Sequence, residues 1–324
     1  MIIYTPPAPA SSIPLIDLGD GGHSDPARRA AVAWEIHKAC RDIGFFYIAN
    51  HGVPEALMHD QLEQVRRLFA LASEQKAQVG IGNSFCRRGY EPPQQQTLDQ
   101  GSPPDLKESF MLGRELPPEH PYVARRVPMH GPNQWPAQLP GFRPQMEAYT
   151  GHMIALGQRL LSCLALSLEL EEDYFSDGLA EPQCGLRLLH YPPQPPQASF
   201  NQMGAGAHTD WGTLTILLQD QRGGLEVRNA AGQWLRADPI PGTFVVNLGQ
   251  LTARLTNGLY CATMHRVMNN LSGQDRYSVT TFFDFDYFYQ VACAPSCAPA
   301  EGEPLYPPAT VGQHIEEMSR RSYG

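Results

Sequence analysis

Residues 205–219 read AGAHTDWGTLTILLQ. The closing run, residues 214–219, is the aliphatic and β-branched kind of segment that forms a buried strand. Four to six residues before it stand His208, Thr209 and Asp210, where a strand would ordinarily bury hydrocarbon. In extended backbone, residues i and i+2 face the same side. If AHTDW is the end of a strand, His208 and Asp210 converge on one point and Thr209 turns away. The surroundings support that reading. After about residue 183, GLRLLHY, TLTILLQ, GLEVRN, QWLRAD, TFVVNLG, CATMHRVMN and RYSVTTFFDFD follow one another across short Gly, Pro or Asn breaks. Many short strands so punctuated predict a sandwich or barrel.

The first half has another texture. Residues 1–12 read as a loose tail and IPLIDL (13–18) as a short strand. Residues 25–43 read as a helix, with Asp25 able to cap and Pro26 suited to the first turn. GFFYIANHG (44–52) reads as a strand and residues 54–72 as an amphipathic helix. Residues 142–170 carry apolar side chains at helical spacing and make the longest expected helix. Residues 80–140 are rich in Gly, Pro and Gln and are expected to form long loops of a functional kind. The expected organisation is one compact unit: an N-terminal region (13–140) with substrate-side loops, a supporting helix (141–182), a β core (183–290) and a C-terminal extension (291–324) that is helical over 312–323.

The chain has 324 residues, 42% hydrophobic and 18% charged, an ordinary soluble globular balance. Its formal charge is −9 with no block of one sign, which argues against nucleic acid and anionic membrane as partners. No stretch approaches a transmembrane span, and MIIYTPPAPASS lacks the basic and apolar regions of a signal peptide. The Asn270-Leu271-Ser272 acceptor pattern is idle in an unsecreted chain. Seven scattered cysteines, with only Cys293 and Cys297 close and not in a CxxC, read as reduced thiols of a cytoplasmic protein. A monomer or weak homo-oligomer acting on a small molecule is expected.

Two convergent ligands do not make a catalytic metal site. The best third is His265 in CATMHRVMNN, on an extended segment 55 residues after Asp210. Two imidazoles and one carboxylate on one face of an octahedron leave three positions open and suit non-haem Fe(II). A lone HxD also occurs by chance, and a strand histidine is more often structural. Eleven residues beyond His265 comes RYS, in which Arg276 and Ser278 share a face of the next strand. A buried arginine needs an anion, and its fork binds a carboxylate in bidentate fashion. The alternative is an arginine paired with an internal Asp or Glu. Phe282 has the same parity and should point inward.

HTDWGTLTILLQD, GGLEV, PGTFVVNLGQ, LTNGLYCATMHRVMNN and RYSVTTFF, in this order, resemble the isopenicillin-N-synthase-like branch of the Fe(II)/2-oxoglutarate dioxygenases, as do IPLIDL and GFFYIANHGVP. The resemblance covers roughly residues 13–290. It implies a mainly β fold with flanking helices, the double-stranded β-helix or jelly roll. It implies Fe(II) on His208, Asp210 and His265, and 2-oxoglutarate with its distal carboxylate on Arg276 and Ser278. Tyr191 matches a tyrosine that contacts that carboxylate or the substrate. It further implies O2 as cosubstrate and hydroxylation of a small molecule, or desaturation or cyclisation on the same residues. Leu189 stands where plant members often carry Asn, and Gly249-Gln250 where many relatives read Gly-Asp. Because Asp210 supplies a carboxylate, halogenation is not expected. The segments CRRGYEPP and LKESFML, by likeness, would line the substrate side, bringing Arg87, Arg88, Tyr90, Lys107, Glu108 and Phe110, with Trp211 at the mouth. An Arg87 or Arg88 facing the metal would imply an acidic substrate. Two other readings stay open: a same-fold iron oxidase that does not use 2-oxoglutarate, and a non-catalytic jelly roll holding a metal as a staple or sensor.

Overall fold

The computed structural model describes residues 12–19, 25–95, 104–194, 203–268 and 270–323; most of the expected tail, residues 1–11, lies outside them. β1 (Leu15–Asp17) runs parallel to β2 (Phe45–Ala49), with α1 (Pro26–Asp42) between them in sequence. The Asp25 side chain accepts a hydrogen bond from the Ala27 amide, and Pro26 sits in the first turn, where no amide hydrogen is needed. α2 (Glu55–Phe69) and the short α3 (Ser73–Gln78) follow.

The 80–140 region is more ordered than its composition suggests. It contributes two sheet strands, β3 (Gly89–Glu91) and β4 (Glu108–Gly113), and one turn of helix, α4 (Pro121–Ala124). β4 is buried nearly throughout, so it lacks the alternation that reveals a half-exposed strand. Gly89 lies at φ 114, and a Cβ there would stand 2.2 Å from the Val79 carbonyl oxygen. Only glycine fits that approach.

α5 (Phe142–Ser167) is the longest helix, with 26 residues. The remaining strands are β5 (Gln183–Tyr191), β6 (Ala205–His208), β7 (Leu214–Gln219), β8 (Leu225–Arg228), β9 (Trp234–Arg236), β10 (Phe244–Leu248), β11 (His265–Val267) and β12 (Arg276–Asp284). α6 (Gln250–Leu255) separates β10 from β11. The hairpin of β13 (Gln290–Val291) with β14 (Ala309–Thr310) leads into α7 (Val311–Tyr323). No helix among the described residues is long and apolar enough to cross a membrane.

Eight strands form one sheet in the order β1-β2-β10-β7-β12-β5-β4-β3, and four form a second, β6-β11-β8-β9. The fold is a jelly roll with flanking helices. The outer face of the large sheet, with Leu186, Leu188, Val279 and Phe283, packs on α1, α2 and α5. Its inner face meets the small sheet in a second core of Phe45, Tyr47, Tyr191, Val245, Val227 and Val267. Strand registry then fixes what faces the chamber between the sheets. Asn247 opposes Thr215, and Thr215 opposes Phe282, which opposes Gly185. Ser278 opposes Leu189, Leu189 opposes Ser109, and Ser109 opposes Glu91. Directly opposed residues point to the same side, so these all face inward.

Candidate metal centre

His208 is the last residue of β6 and His265 the first of β11, and the two oppose each other across the ladder. Their ring centroids lie 4.3 Å apart. Asp210 falls just beyond the strand end, not within it as the alternation argument assumed, yet its side chain converges on the same point. Each imidazole is tethered to the carbonyl two residues before it. His208 Nδ1 lies 2.7 Å from the Gly206 oxygen, and His265 Nδ1 lies 3.1 Å from that of Thr263. A carbonyl only accepts, so both Nδ1 atoms carry a hydrogen and each Nε2 is the ring atom turned toward Asp210.

Those Nε2 atoms lie 3.9 and 3.8 Å from Asp210 Oδ1. Asp210 Oδ2 accepts hydrogen bonds from Thr215 Oγ1 at 2.6 Å and Asn247 Nδ2 at 2.7 Å, which fixes the carboxylate plane. Burial alone would raise the Asp210 pKa, but the two histidines and these two donors hold it below the usual carboxylate value. Burial, with His265 alongside, pushes His208 down, so its ring is neutral. The result is a buried carboxylate oxygen facing two imidazole nitrogens at distances too long for direct hydrogen bonds. A cation resolves that arrangement. Among the described residues, this is the one cluster of three such donors close enough to hold a metal ion. Three donors on one side are too few for a closed structural site.

The chamber has a second feature of the same kind. Arg276 and Ser278 are 2% and 1% exposed. Arg276 Nε donates to the Gly223 carbonyl, but its Nη1 and Ser278 Oγ are buried without hydrogen-bond partners. The guanidinium lies 4.6 Å over the ring of Tyr191, its opposed residue on β5. Arg276 makes no ion pair among the described residues, so the internal-acid alternative is not met. Two orphaned donors on one face suit a carboxylate.

Two charged pairs with inward parity, Arg187–Glu91 and Lys107–Asp105, include acidic partners that sequence reasoning did not name. Arg187 Nη2 donates to Glu91 Oε2 at 2.6 Å and to Ser109 Oγ at 3.1 Å, and Ser109 donates to Glu91 at 2.9 Å. Lys107 pairs with Asp105 at 2.5 Å, and Asp105 Oδ1 accepts from the Gly206 amide of β6. Burial depresses the Lys107 pKa to about 8 despite that partner. Arg187 shares the parity of Tyr191 on β5. Its acidic partner on β3 was not visible in the sequence, because that strand was read as loop.

Other expected substrate residues lie elsewhere. Tyr90 and Phe110 oppose each other on the outer face of the large sheet. Tyr90 donates to Glu108, and Phe110 packs edge-on against Phe142 of α5. Both belong to the helix-side core, so a role at the substrate is corrected for each. Glu108 joins them there, bound by Lys76 and His190. Arg88 is 4% exposed and braces backbone, donating to the carbonyls of Leu112 and Met129. The acidic-substrate expectation built on it falls. Arg87 is exposed in a left-handed turn at φ 58. Trp211 is half-buried beside Asp210, and its carbonyl accepts from His314 of α7. Phe282 is half-buried with inward parity. Of the two departures, Leu189 packs in the inter-sheet core, and Gln250 Nε2 donates to Thr209 Oγ1 at 2.8 Å, bracing the residue between two metal donors.

Two family descriptions match the sequence: "non-haem dioxygenase in morphine synthesis N-terminal" over residues 13–138, and "2OG-Fe(II) oxygenase superfamily" over residues 182–285. The chain is 37% identical over 316 residues to the 2-oxoglutarate-Fe(II) type oxidoreductase hxnY of Emericella nidulans, covering 96% of this chain and 90% of that one. Its fold is similar to that of a full-length Neurospora crassa protein crystallised with alpha-KG and thymine, with a TM-score of 0.84, 30% identity and coverage of 96% and 97%. It is equally similar to a 2OG-Fe(II) oxygenase family protein of Caulobacter crescentus, with a TM-score of 0.84, 31% identity and coverage of 96% and 99%.

Proposed function

The chain belongs to the Fe(II)- and 2-oxoglutarate-dependent oxygenases, and on that premise we propose that His208, Asp210 and His265 hold the iron while Arg276, Ser278 and Tyr191 receive the distal carboxylate of 2-oxoglutarate. The enzyme is an oxidoreductase that uses Fe(II), 2-oxoglutarate and O2. When bound, iron and cosubstrate supply the oxidising power, 2-oxoglutarate leaving as succinate and CO2 while a substrate C–H bond is oxidised.

The chain's own residues bind, orient and exclude water. The Gly206 and Thr263 carbonyls, by holding each Nδ1, would keep both Nε2 atoms turned toward the ion. Thr215 and Asn247 leave only Oδ1 of Asp210 for it. Three protein donors would leave a bound Fe(II) with room for small ligands, as a 2-oxo acid and O2 require. Arg276 would hold the far end of that acid and so set its orientation in the chamber. The inter-sheet core of Phe45, Val227 and Val245 keeps bulk water from the buried side.

One observation carries the assignment of 2-oxoglutarate to this chamber: the buried, unpartnered Nη1 of Arg276 and Oγ of Ser278. A small-molecule substrate is supported by the thymine in the Neurospora crassa structure. The direct test is succinate release that requires both Fe(II) and 2-oxoglutarate, measured with a compound panel. Metal-dependent O2 uptake indifferent to 2-oxoglutarate would replace this reading with the oxidase one.

A further inference from the structure

The reading above leaves the substrate side of the chamber unassigned, and the inner face of the large sheet carries an unused recognition pair there. Arg187 lies on β5, four residues before Tyr191 and on the same face. Its Nη2 is taken by Glu91 and Ser109, while its Nε is buried without a hydrogen-bond partner. Ser109 gives its hydrogen to Glu91 Oε2, and no hydrogen bond involves Glu91 Oε1 among the described residues. The same ion pair thus holds one buried donor without a partner and one carboxylate oxygen that makes no hydrogen bond among the described residues. Glu91 balances the guanidinium charge, so the pair as a whole does not call for an anion.

The next row of the same face supplies the platform. Phe282 opposes Gly185, one row from the Thr280–Arg187 pair. It is half-buried, unlike its neighbour Phe283, which is fully buried against α5. Gly185 has open space above it: the nearest atom to a Cβ there is the Leu112 carbonyl oxygen at 3.9 Å. An aromatic face beside an unfilled glycine position is a seat for a flat ring. Phe282 also opposes Thr215, the donor to Asp210, which puts the seat on the metal side of the pair.

We propose that Arg187 and Glu91 select the substrate, and that the substrate is an uncharged planar ring with a lactam edge. Its carbonyl oxygen accepts from Arg187 Nε, its adjacent N–H donates to Glu91 Oε1, and its face rests on Phe282 over Gly185. The opposite edge of the ring is thereby turned toward the metal and presents the C–H bond to be oxidised. This rests on the oxygenase reading of the chamber, and the two fail separately.

The test uses 2-pyridone and thymine as probes, with N-methyl-2-pyridone and benzoate as controls. Binding to enzyme loaded anaerobically with Fe(II) and 2-oxoglutarate is followed by ligand-observed NMR. Affinities in the millimolar range are expected for so few heavy atoms. Both lactams should bind more tightly than either control. Arg187→Met and Glu91→Gln should each weaken lactam binding by at least roughly tenfold more than they weaken 2-oxoglutarate binding. Arg187→Lys, which keeps the charge and loses the fork, should resemble Arg187→Met, and Gly185→Val should exclude the probes by filling the seat. Preference for benzoate, indifference to N-methylation, an equal loss of 2-oxoglutarate and lactam affinity, or no lactam binding would each overturn the proposal. If 2-oxoglutarate itself does not bind, the oxygenase reading of the chamber fails first.

Discussion

Asn247 and Thr215 oppose each other on β10 and β7, and both donate to the same oxygen, Oδ2 of Asp210. One sheet row thus sets the orientation of a carboxylate that lies outside any strand. Removing a group that orients a metal ligand typically costs ten- to a hundredfold in metal affinity (about 1–3 kcal/mol). Asn247→Ala and Thr215→Val should each weaken Fe(II) binding by about that factor while leaving the fold intact. Metal titration under anaerobic conditions measures it. An unchanged affinity in both variants would mean that Asp210 is held by something else.

Arg276 and Ser278 should differ in what they do to 2-oxoglutarate. Arg276 offers a buried charge, and truncating one side of such a pair costs about 2–5 kcal/mol. Arg276→Met should therefore raise the 2-oxoglutarate requirement on the order of a hundredfold. Ser278→Ala removes one neutral donor, worth about 1 kcal/mol, or roughly fivefold. Varying 2-oxoglutarate at saturating iron gives both numbers. Equal effects of the two variants would place the carboxylate away from the guanidinium.

The convergence of His208 with Asp210 and the shared face of Arg276 and Ser278 were legible because each pair lies within three residues of chain, whereas His265 joins the first pair only through the β6–β11 ladder. The run Leu214–Gln219 announces a strand, and Arg276–Ser278 needs nothing beyond period two. Tyr90 and Phe110 misled for a physical reason. Aromatic residues in a Gly/Pro-rich segment look like loop, and loop aromatics suggest a pocket. Here β3 and β4 extend the large sheet, and registry with β5 turns both rings to the helix side. The same registry brings Glu91 to Arg187, a pairing that spans 96 residues and has no sequence signature.

Two glycines on α5 predict opposite outcomes. At Gly157 a Cβ would stand 2.5 Å from ring atoms of Phe283, which is fully buried on β12. Gly157→Ala should cost about 1–3 kcal/mol through overpacking, more than the helix gains. At Gly151 a Cβ would meet nothing within 4 Å, and the residue is exposed. Gly151→Ala should stabilise by up to about 1 kcal/mol. Urea unfolding of the two variants compares them on one helix. A shift of the same sign in both would show that α5 does not seat on the sheet through Gly157.

His190 ties Glu108 on the outer face of the large sheet to Asp275, the residue before Arg276. Its Nδ1 lies 2.6 Å from Glu108 and its Nε2 2.8 Å from Asp275, while the adjacent residues, Tyr191 and Arg276, face the chamber. Burial pulls the His190 pKa down, but the two carboxylates outweigh it and raise it above the ordinary value. Charged His190 therefore stabilises the fold fully below the unfolded value of about 6.5. That contribution is lost as pH rises through the higher folded value. His37, His51, His130 and His314 are shifted down by burial and act in the opposite sense, losing stability as pH falls. The measurable quantity is thus the difference between wild type and His190→Gln, by urea unfolding from about pH 6 to pH 9. The difference should be largest at the acidic end and shrink as pH rises. A constant difference would mean that His190 contributes packing against Tyr277, on which it stacks at 4.9 Å, and not charge.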